Sequence, residues 1–323
     1  MKAIEARALT KVYKVSKHKE FWRRLFTPSF RNVIAVDGID FDVEKGETVG
    51  FVGPNGAGKS TTIKILTGVL VPTSGQVQVN GIDPHRNRIE NARRVGVVFG
   101  QRSQLWWDLP GRDSLNLIKY IYKIATPTFE RNLAIFDDLL DLGSFMNTPV
   151  RQMSLGQRMR MDIAAALIHE PEIIYLDEPT IGLDVNVKEK IRSFIDWLNR
   201  EKGATIFFTT HDMQDIERNC TRIVIIDHGR IVYDGAIAEF RRQYGGQSSL
   251  TVELKSEVPD FHLEGAEVYR HTFCKRWLHF SKEHTPVAKL VAELIAKYDV
   301  LDFSIQDTGI DVILRRLYET SRR

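Results

Sequence analysis

The chain has 323 residues, 43% of them hydrophobic and 27% charged, with a formal net charge of +3. That is apolar material for one large domain plus a small one, or for two medium ones, and too little charge to argue for nucleic acid. No apolar stretch approaches the roughly 18 residues of a membrane span, and the opening MKAIEARALTKVYK has no signal-peptide core, so a soluble, cytoplasmic protein is expected.

Residues 1–14 read as a strand leading to Tyr13, followed by a basic, aromatic insertion at 15–31, SKHKEFWRRLFTPSFRN. Two strand-like runs follow within 33–52, the second being Thr48–Val52 ahead of a glycine-rich loop, and 59–69 has a helical pattern. Residues 76–80 alternate like a strand and 95–99 (VGVVF) form an apolar one. From about 112 to 169 the pattern is helical throughout. Apolar strand runs return at 173–176, 204–208 and 222–227, with a helix over 187–202 that puts Ile191, Phe194, Ile195 and Leu198 on one face. Strands alternating with helices predict a mostly parallel α/β sheet with crossovers, interrupted by a helical subdomain at about 110–169.

A break is expected at Gly245-Gly246, dividing a domain of 1–244 from a small α+β domain of 245–323. In the latter, 250–254, 267–273 and 277–281 resemble strands. Residues 286–298 carry Val287, Leu290, Val291, Leu294 and Ile295 on a helical face. Leu301, Phe303 and Ile305 alternate as a strand, and Thr308 is placed to cap a last helix through Ile310, Ile313, Leu314 and Leu317. Cys220 and Cys274 match no metal motif and make no disulfide framework, so both read as reduced structural residues.

Gly53-Pro54-Asn55-Gly56-Ala57-Gly58-Lys59-Ser60 fits G-x-x-x-x-G-K-[ST] between a strand and a helix. The glycines let backbone N–H groups point inward at phosphates, and the helix N-terminus adds partial positive charge. Lys59 would reach the β- and γ-phosphates, the Ser60 hydroxyl would bind Mg²⁺, and Thr61 would donate near the α-phosphate. Alone, this loop says only that the chain binds phosphate.

The segment IIYLDEPT at 173–180 ends an apolar strand on two carboxylates. Asp177 stands where ligands sit in α/β sheets and suits Mg²⁺; Glu178 can deprotonate an attacking water. Ser154-Leu155-Gly156-Gln157 opens a helix, with Ser154 as cap and Gln157 closing a capping box. A serine and a close-approach glycine at a helix N-terminus make a second anion site. One chain has no use for a second cradle on its own nucleotide, so this one would serve a partner.

Together these residues resemble the ABC (ATP-binding cassette) ATPase family over roughly 1–240. The resemblance implies that Tyr13 stacks on adenine, and that Gln101 is the Q-loop glutamine, touching Mg²⁺ and coupling to a membrane subunit. It makes Ser154–Gln157 the signature, Asp177 and Glu178 the Walker B pair, and Gly182-Leu183-Asp184 the D-loop. His211 becomes the switch histidine that contacts the γ-phosphate. One departure stands out: the usual LSGGQ is here Met153-Ser154-Leu155-Gly156-Gln157, with Leu155 in place of the first glycine.

The family implies an α/β P-loop NTPase cassette that binds ATP and Mg²⁺ and closes head to tail with a second cassette, as a homodimer. Hydrolysis would power separate transmembrane permease subunits from the cytoplasmic face of the membrane, without nucleic acid. GVVFGQRSQLWWDLP (96–110) and MSLGQRMR (153–160) resemble prokaryotic exporters of the drug and polysaccharide type. Importer cassettes and non-transporting ABC ATPases are the alternatives, as is a P-loop kinase. The interval from Lys59 to Asp177 carries none of the heptad run expected of a DNA-repair relative.

Two further segments have open readings. Trp106, Trp107 and Leu109 are either a docking surface for a permease or a local core. The 15–31 insertion is either a basic amphipathic helix at a membrane or partner, or a solvated hairpin.

Overall fold

The computed structural model describes residues 1–16, 30–100, 102–210, 212–245, 248–282, 284–307 and 309–321. They form two compact units, Met1–Gly235 and Ala236–Arg323.

The first unit begins with β1 (Lys2–Ser16), β2 (Phe30–Glu44) and β3 (Thr48–Val52), then α1 (Lys59–Leu66) and β4 (Ser74–Val79). Next come α2 (Arg88–Arg94), β5 (Val95–Phe99), α3 (Gly111–Tyr122), α4 (Thr126–Leu140) and α5 (Leu155–Leu167). It ends with β6 (Ile173–Asp177), α6 (Val185–Lys202), β7 (Thr205–Thr209), α7 (Met213–Asn219), β8 (Arg222–Asp227) and β9 (Arg230–Ala236). One sheet has the order β2-β1-β4 and is antiparallel. The other runs β5-β6-β7-β3-β8-β9, with parallel pairing from β5 through β8.

The central strands are uninterrupted apolar runs because both faces are covered. Every residue of β3 and β7 is buried. Phe41 of β2, Phe51 of β3 and Phe207 of β7 cluster with ring centroids 5.0 to 6.0 Å apart. These contacts tie the two sheets together and fix the strand that carries the glycine-rich loop. The face of α6 is as its periodicity predicts, with Ile191, Phe194, Ile195 and Leu198 buried.

The stretch expected to be helical from 112 to 169 is broken into α3, α4, a 3₁₀ turn at Val150–Gln152 and α5. Lys123 and Asp141 end α3 and α4 in left-handed conformations (φ 54° and 53°), which turns the chain back each time. Helices α2 and α7 escaped the sequence reading because seven residues hold too few turns to show a period.

The second unit contains α8 (Ile237–Tyr244), β10 (Ser248–Leu254), β11 (Ala266–His271), β12 (Lys275–Phe280), α9 (Val287–Lys297), β13 (Val300–Asp307) and α10 (Ile310–Ser321). Its antiparallel sheet has the order β11-β12-β10-β13. The division falls ahead of α8 rather than after residue 244, as expected from the glycine pair. The reason is packing within the unit. Phe240 is fully buried, and Ile313 Cδ1 lies 3.4 Å from the place of a Cβ on Gly245. Helix α9 buries Leu290 and Leu294, but Ile295 is 59% exposed and lies off the core face assigned to it. Thr308, expected as the cap of α10, lies outside the described residues. Cys220 and Cys274 are free thiols. Among the described residues no helix is long and apolar enough to cross a membrane.

Candidate functional site

The glycine-rich loop leaves the C-terminal end of β3 and enters α1. Each glycine meets a distinct local demand. A Cβ on Gly53 would stand 2.3 Å from the Ile226 carbonyl oxygen, and one on Gly58 2.5 Å from that of Ala35. Gly56 and Gly58 also hold φ of +84° and +117°, where only glycine is unstrained. Lys59 folds back into the loop, its Nζ donating to the carbonyls of Gly53 (2.6 Å) and Pro54 (3.2 Å). Burial lowers the Lys59 pKa, while the Glu178 and Asp177 carboxylates oppose that shift. The turn between β8 and β9 braces the loop from outside: Gly229 N donates to the Ala57 carbonyl, and Asp37 N to that of Gly229, both at 2.9 Å.

Register places the carboxylates. Parallel pairing sets Phe99, Asp177 and Thr209 side by side at the ends of β5, β6 and β7. The Thr209 hydroxyl donates to Asp177 Oδ1 at 2.7 Å, and Gly100 N donates to the Asp177 carbonyl at 2.8 Å. Glu178 follows in a left-handed conformation (φ 54°), with its N–H on the Thr209 carbonyl at 2.9 Å. For a residue with a Cβ this conformation is uncommon, and it turns the chain sharply at the strand end.

A cleft of about 860 Å³ results, lined by Gly53, Pro54, Asn55, Gly56, Ser60, Asp177 and Glu178 from among the residues expected there. The fold adds Lys64, Phe99, Gly100, Arg102 and Ile181, which sequence reasoning missed. Gly100 was legible in principle. A Cβ there would lie 2.5 Å from the Glu178 carbonyl oxygen, the kind of close approach that a glycine after a buried strand signals.

Ser154, Leu155, Gly156 and Gln157 do not line this cleft, nor does Asp184, and Thr61 is not among the lining residues either. The expected capping box is present: Ser154 N donates to Gln157 Oε1 (2.9 Å) and Gln157 N to Ser154 Oγ (3.2 Å). Asp184 caps α6 through Val187 N at 3.0 Å. The two helix starts interlock. The place of a Cβ on Gly156 is 3.1 Å from Val187 Cγ2, and that on Gly182 is 3.3 Å from Leu155 Cδ2. Leu155 remains 41% exposed.

Behind the ends of β6 and β7 lies a buried ionic group that the sequence did not reveal. Asp215, fully buried, accepts from Arg192, Thr180 and Thr210. Asp212 takes Lys188 at 2.7 Å and Arg192 at 3.6 Å. Burial alone would raise the Asp212 pKa; Lys188, the Gln214 N–H and Arg192 outweigh it and hold the carboxyl below its ordinary value.

Tyr13 is half-buried on β1, with Lys11 Nζ 5.5 Å from its ring centroid. Trp106 and Trp107 are 40% and 52% exposed, so they do not form the local core that was one reading of them. Gln101, His211 and residues 17–29 of the basic insertion lie outside the described residues.

Residues 36–181 match the family described as ABC transporter. Over 214 residues the chain is 34% identical to the ABC transporter ATP-binding protein NatA of Bacillus subtilis (strain 168), covering 66% of this chain and 87% of NatA. The chain belongs to the ABC transporter ATP-binding family. This cassette is also 36% identical over 219 residues to the daunorubicin resistance ATP-binding protein DrrA3 of Streptomyces coeruleorubidus, 66% of each chain being covered. Among solved structures, it resembles the dimeric post-hydrolysis state of the ATP-binding cassette MJ0796 bound to ADP and Pi. The TM-score is 0.62 at 27% identity, over 72% of this chain and 98% of that one. The α/β cassette fold with its helical subdomain is therefore as the sequence implied.

Proposed function

We propose that this cassette hydrolyses ATP with Mg²⁺ as one half of a pair and so drives export through a separate membrane permease. One observation carries the reading: the phosphate loop shares its cleft with Asp177 and Glu178 but not with the signature residues 154–157. A second cassette supplies the missing wall. A homodimer would bring Ser154 and Gly156 of one chain to the nucleotide held by Gly53–Ser60 of the other. The solved relative named above is itself dimeric and bound to ADP and Pi.

The residues present fit Mg²⁺. Ser60 and Asp177 bring a hydroxyl and a carboxylate to one cleft, hard oxygen donors of the kind this ion takes alongside substrate phosphates. When bound, the ion would supply positive charge to neutralise the nucleotide's phosphate oxygens. Lys59 offers its ammonium to the same oxygens, exchanging its present carbonyl partners for phosphate. Glu178 orients a water and takes its proton as the water oxygen bonds to the γ-phosphorus and the bond to the bridging β–γ oxygen breaks. ADP and phosphate result. By resemblance Tyr13 would stack on the adenine, Gln101 would join the metal, Asp184 would meet the partner cassette, and His211 would stabilise the charge that develops on the γ-phosphate.

The exporter assignment follows the drug-resistance relative and the exposed Trp106–Trp107 pair, which offers anchors to a permease at the cytoplasmic face of the membrane. Steady-state ATPase and size-exclusion measurements on the Glu178→Gln variant test the core of the reading. A fall of roughly a hundredfold or more in turnover is expected, with an ATP-dependent dimer accumulating. Near-wild-type turnover overturns it. Substrate uptake into inverted membrane vesicles containing the copurifying permease tests direction.

A further inference from the structure

Asp162 sits in the middle of α5, between the buried apolar residues Met161 and Ile163, and apart from Arg160 it is the charged residue in the buried run from Met159 to Leu167. Its side chain is almost wholly enclosed. A buried carboxylate costs several kcal/mol unless donors satisfy it, so an apolar residue is the ordinary choice at such a position. Here the donors come from one short segment. Oδ1 accepts from Ser103 Oγ at 2.9 Å and from Gln104 N at 3.0 Å, and the Leu105 N–H is directed at the same carboxylate. Gln104 Nε2 donates in turn to the Asp162 carbonyl oxygen at 3.1 Å.

The segment so held runs from just past Gln101 to Trp106 and Trp107. Leu105 N bonds Ser103 Oγ at 3.1 Å, which stiffens the turn. One turn earlier on α5, the Arg158 guanidinium lies 5.5 Å from the Trp107 ring centroid. The helix therefore grips the segment twice on one face, at Arg158 and at Asp162. The N-terminus of that same helix is Ser154–Gln157.

We infer that Asp162 is a positioning residue that fixes residues 103–107 to helix α5, so that the signature motif and the exposed tryptophan pair move as one body. The inference rests on the cassette reading above for the meaning of the motion, but the anchoring itself does not depend on it. It assigns Asp162 no contact with nucleotide. It makes the carboxylate the strut through which engagement of the signature by a partner's nucleotide reaches the surface offered to a permease.

Hydrogen exchange followed by mass spectrometry on the full chain tests this, with and without Mg²⁺ and a β,γ-imido ATP analogue. In the nucleotide-free protein, Asp162→Ala should speed exchange across 102–109, and Asp162→Asn, which keeps an acceptor oxygen, should restore slow exchange. Unchanged exchange in Asp162→Ala overturns the inference. With the analogue, wild type should gain protection at both 154–160 and 102–109, whereas Asp162→Ala should keep the first and lose the second. Protection of both segments in Asp162→Ala also overturns it. If the analogue protects neither segment in wild type while the nucleotide-free effect is present, the paired-cassette reading falls and the anchoring stands. Ser103→Ala removes a donor from the other side of the contact, and accelerated exchange there gives the same answer if Asp162→Ala does not fold.

Discussion

Leu155 fills the space a side chain on Gly182 would need: its Cδ2 is 3.3 Å from where a Cβ on that glycine would stand. Leu155, which stands where the proposed signature would have its first glycine, thus sits close to the loop of its own chain that leads to Asp184. A side chain on Gly182 would crowd Leu155, and the glycine's φ of +72° disfavours any side chain. Gly182→Val is expected to combine backbone strain of ~1–2 kcal/mol with displacement of Leu155. ATP-dependent dimerisation, measured by light scattering, should weaken at least tenfold in affinity. Leu155→Gly should leave dimerisation in place, because Ser154 and Gly156 are untouched.

Thr209 donates to Asp177 from a fully buried position. Thr209→Val keeps the shape and removes that donor. The expected loss is about tenfold in kcat, or ~1.4 kcal/mol, the scale of one hydrogen bond to a charged group. The Km for ATP should stay close to wild type, which steady-state kinetics would show.

The Asp215 group behaves as a buried ion pair. Arg192→Leu leaves the Asp215 carboxylate without its cation, and Asp215→Leu leaves the buried Arg192 only the more distant Asp212 carboxylate. Either should destabilise the first unit by about 3–5 kcal/mol, read as a fall in the urea midpoint. The double variant should recover part of that loss.

Two buried groups give stability opposite dependences on pH. Burial raises the Asp162 pKa to about 6 from an ordinary value of 3.8, against the pull of Ser103 and the backbone N–H groups. Its contribution is complete below the lower value and is lost as pH rises through about 6, by up to about 3 kcal/mol. Burial lowers the His169 pKa to about 4 from 6.5. Its contribution is complete above 6.5 and is lost as pH falls through about 4. Urea unfolding across pH 4 to 7.5 should show Asp162→Asn gaining on wild type as pH rises, and His169→Gln gaining as pH falls.

How much of this was legible beforehand depended on whether the signal was local. The phosphate loop, the Asp177–Glu178 pair and the capping box at Ser154 are runs of adjacent residues whose chemistry is fixed by spacing. The strands β3, β6 and β7 were visible because burial on both faces leaves no polar residue to break the run. The contacts that complete the site join distant parts of the chain. Thr209 meets Asp177, Gly229 meets Ala57, and Arg192 meets Asp215 only after the sheet has set its register. Gly229 and Asp215 carry no pattern of their own. The helix α9 face is narrower than its period suggests for a related reason: period predicts which residues share a face but not how much of that face the core covers, and Ile295 is left outside.

The place of β3 in the sheet also bears on the order in which the protein can be made. β3 emerges early from the ribosome, yet its neighbours β7 and β8, and the Gly229 turn that braces Ala57, all come from beyond residue 204. Until they emerge, the loop strand has neither lateral partner and its edges are open. A nascent chain stalled near residue 200 therefore carries the whole phosphate-binding motif without the cleft, and should not be retained on immobilised ATP. The ability to hold nucleotide is acquired late in translation, and it certifies that the large unit has closed.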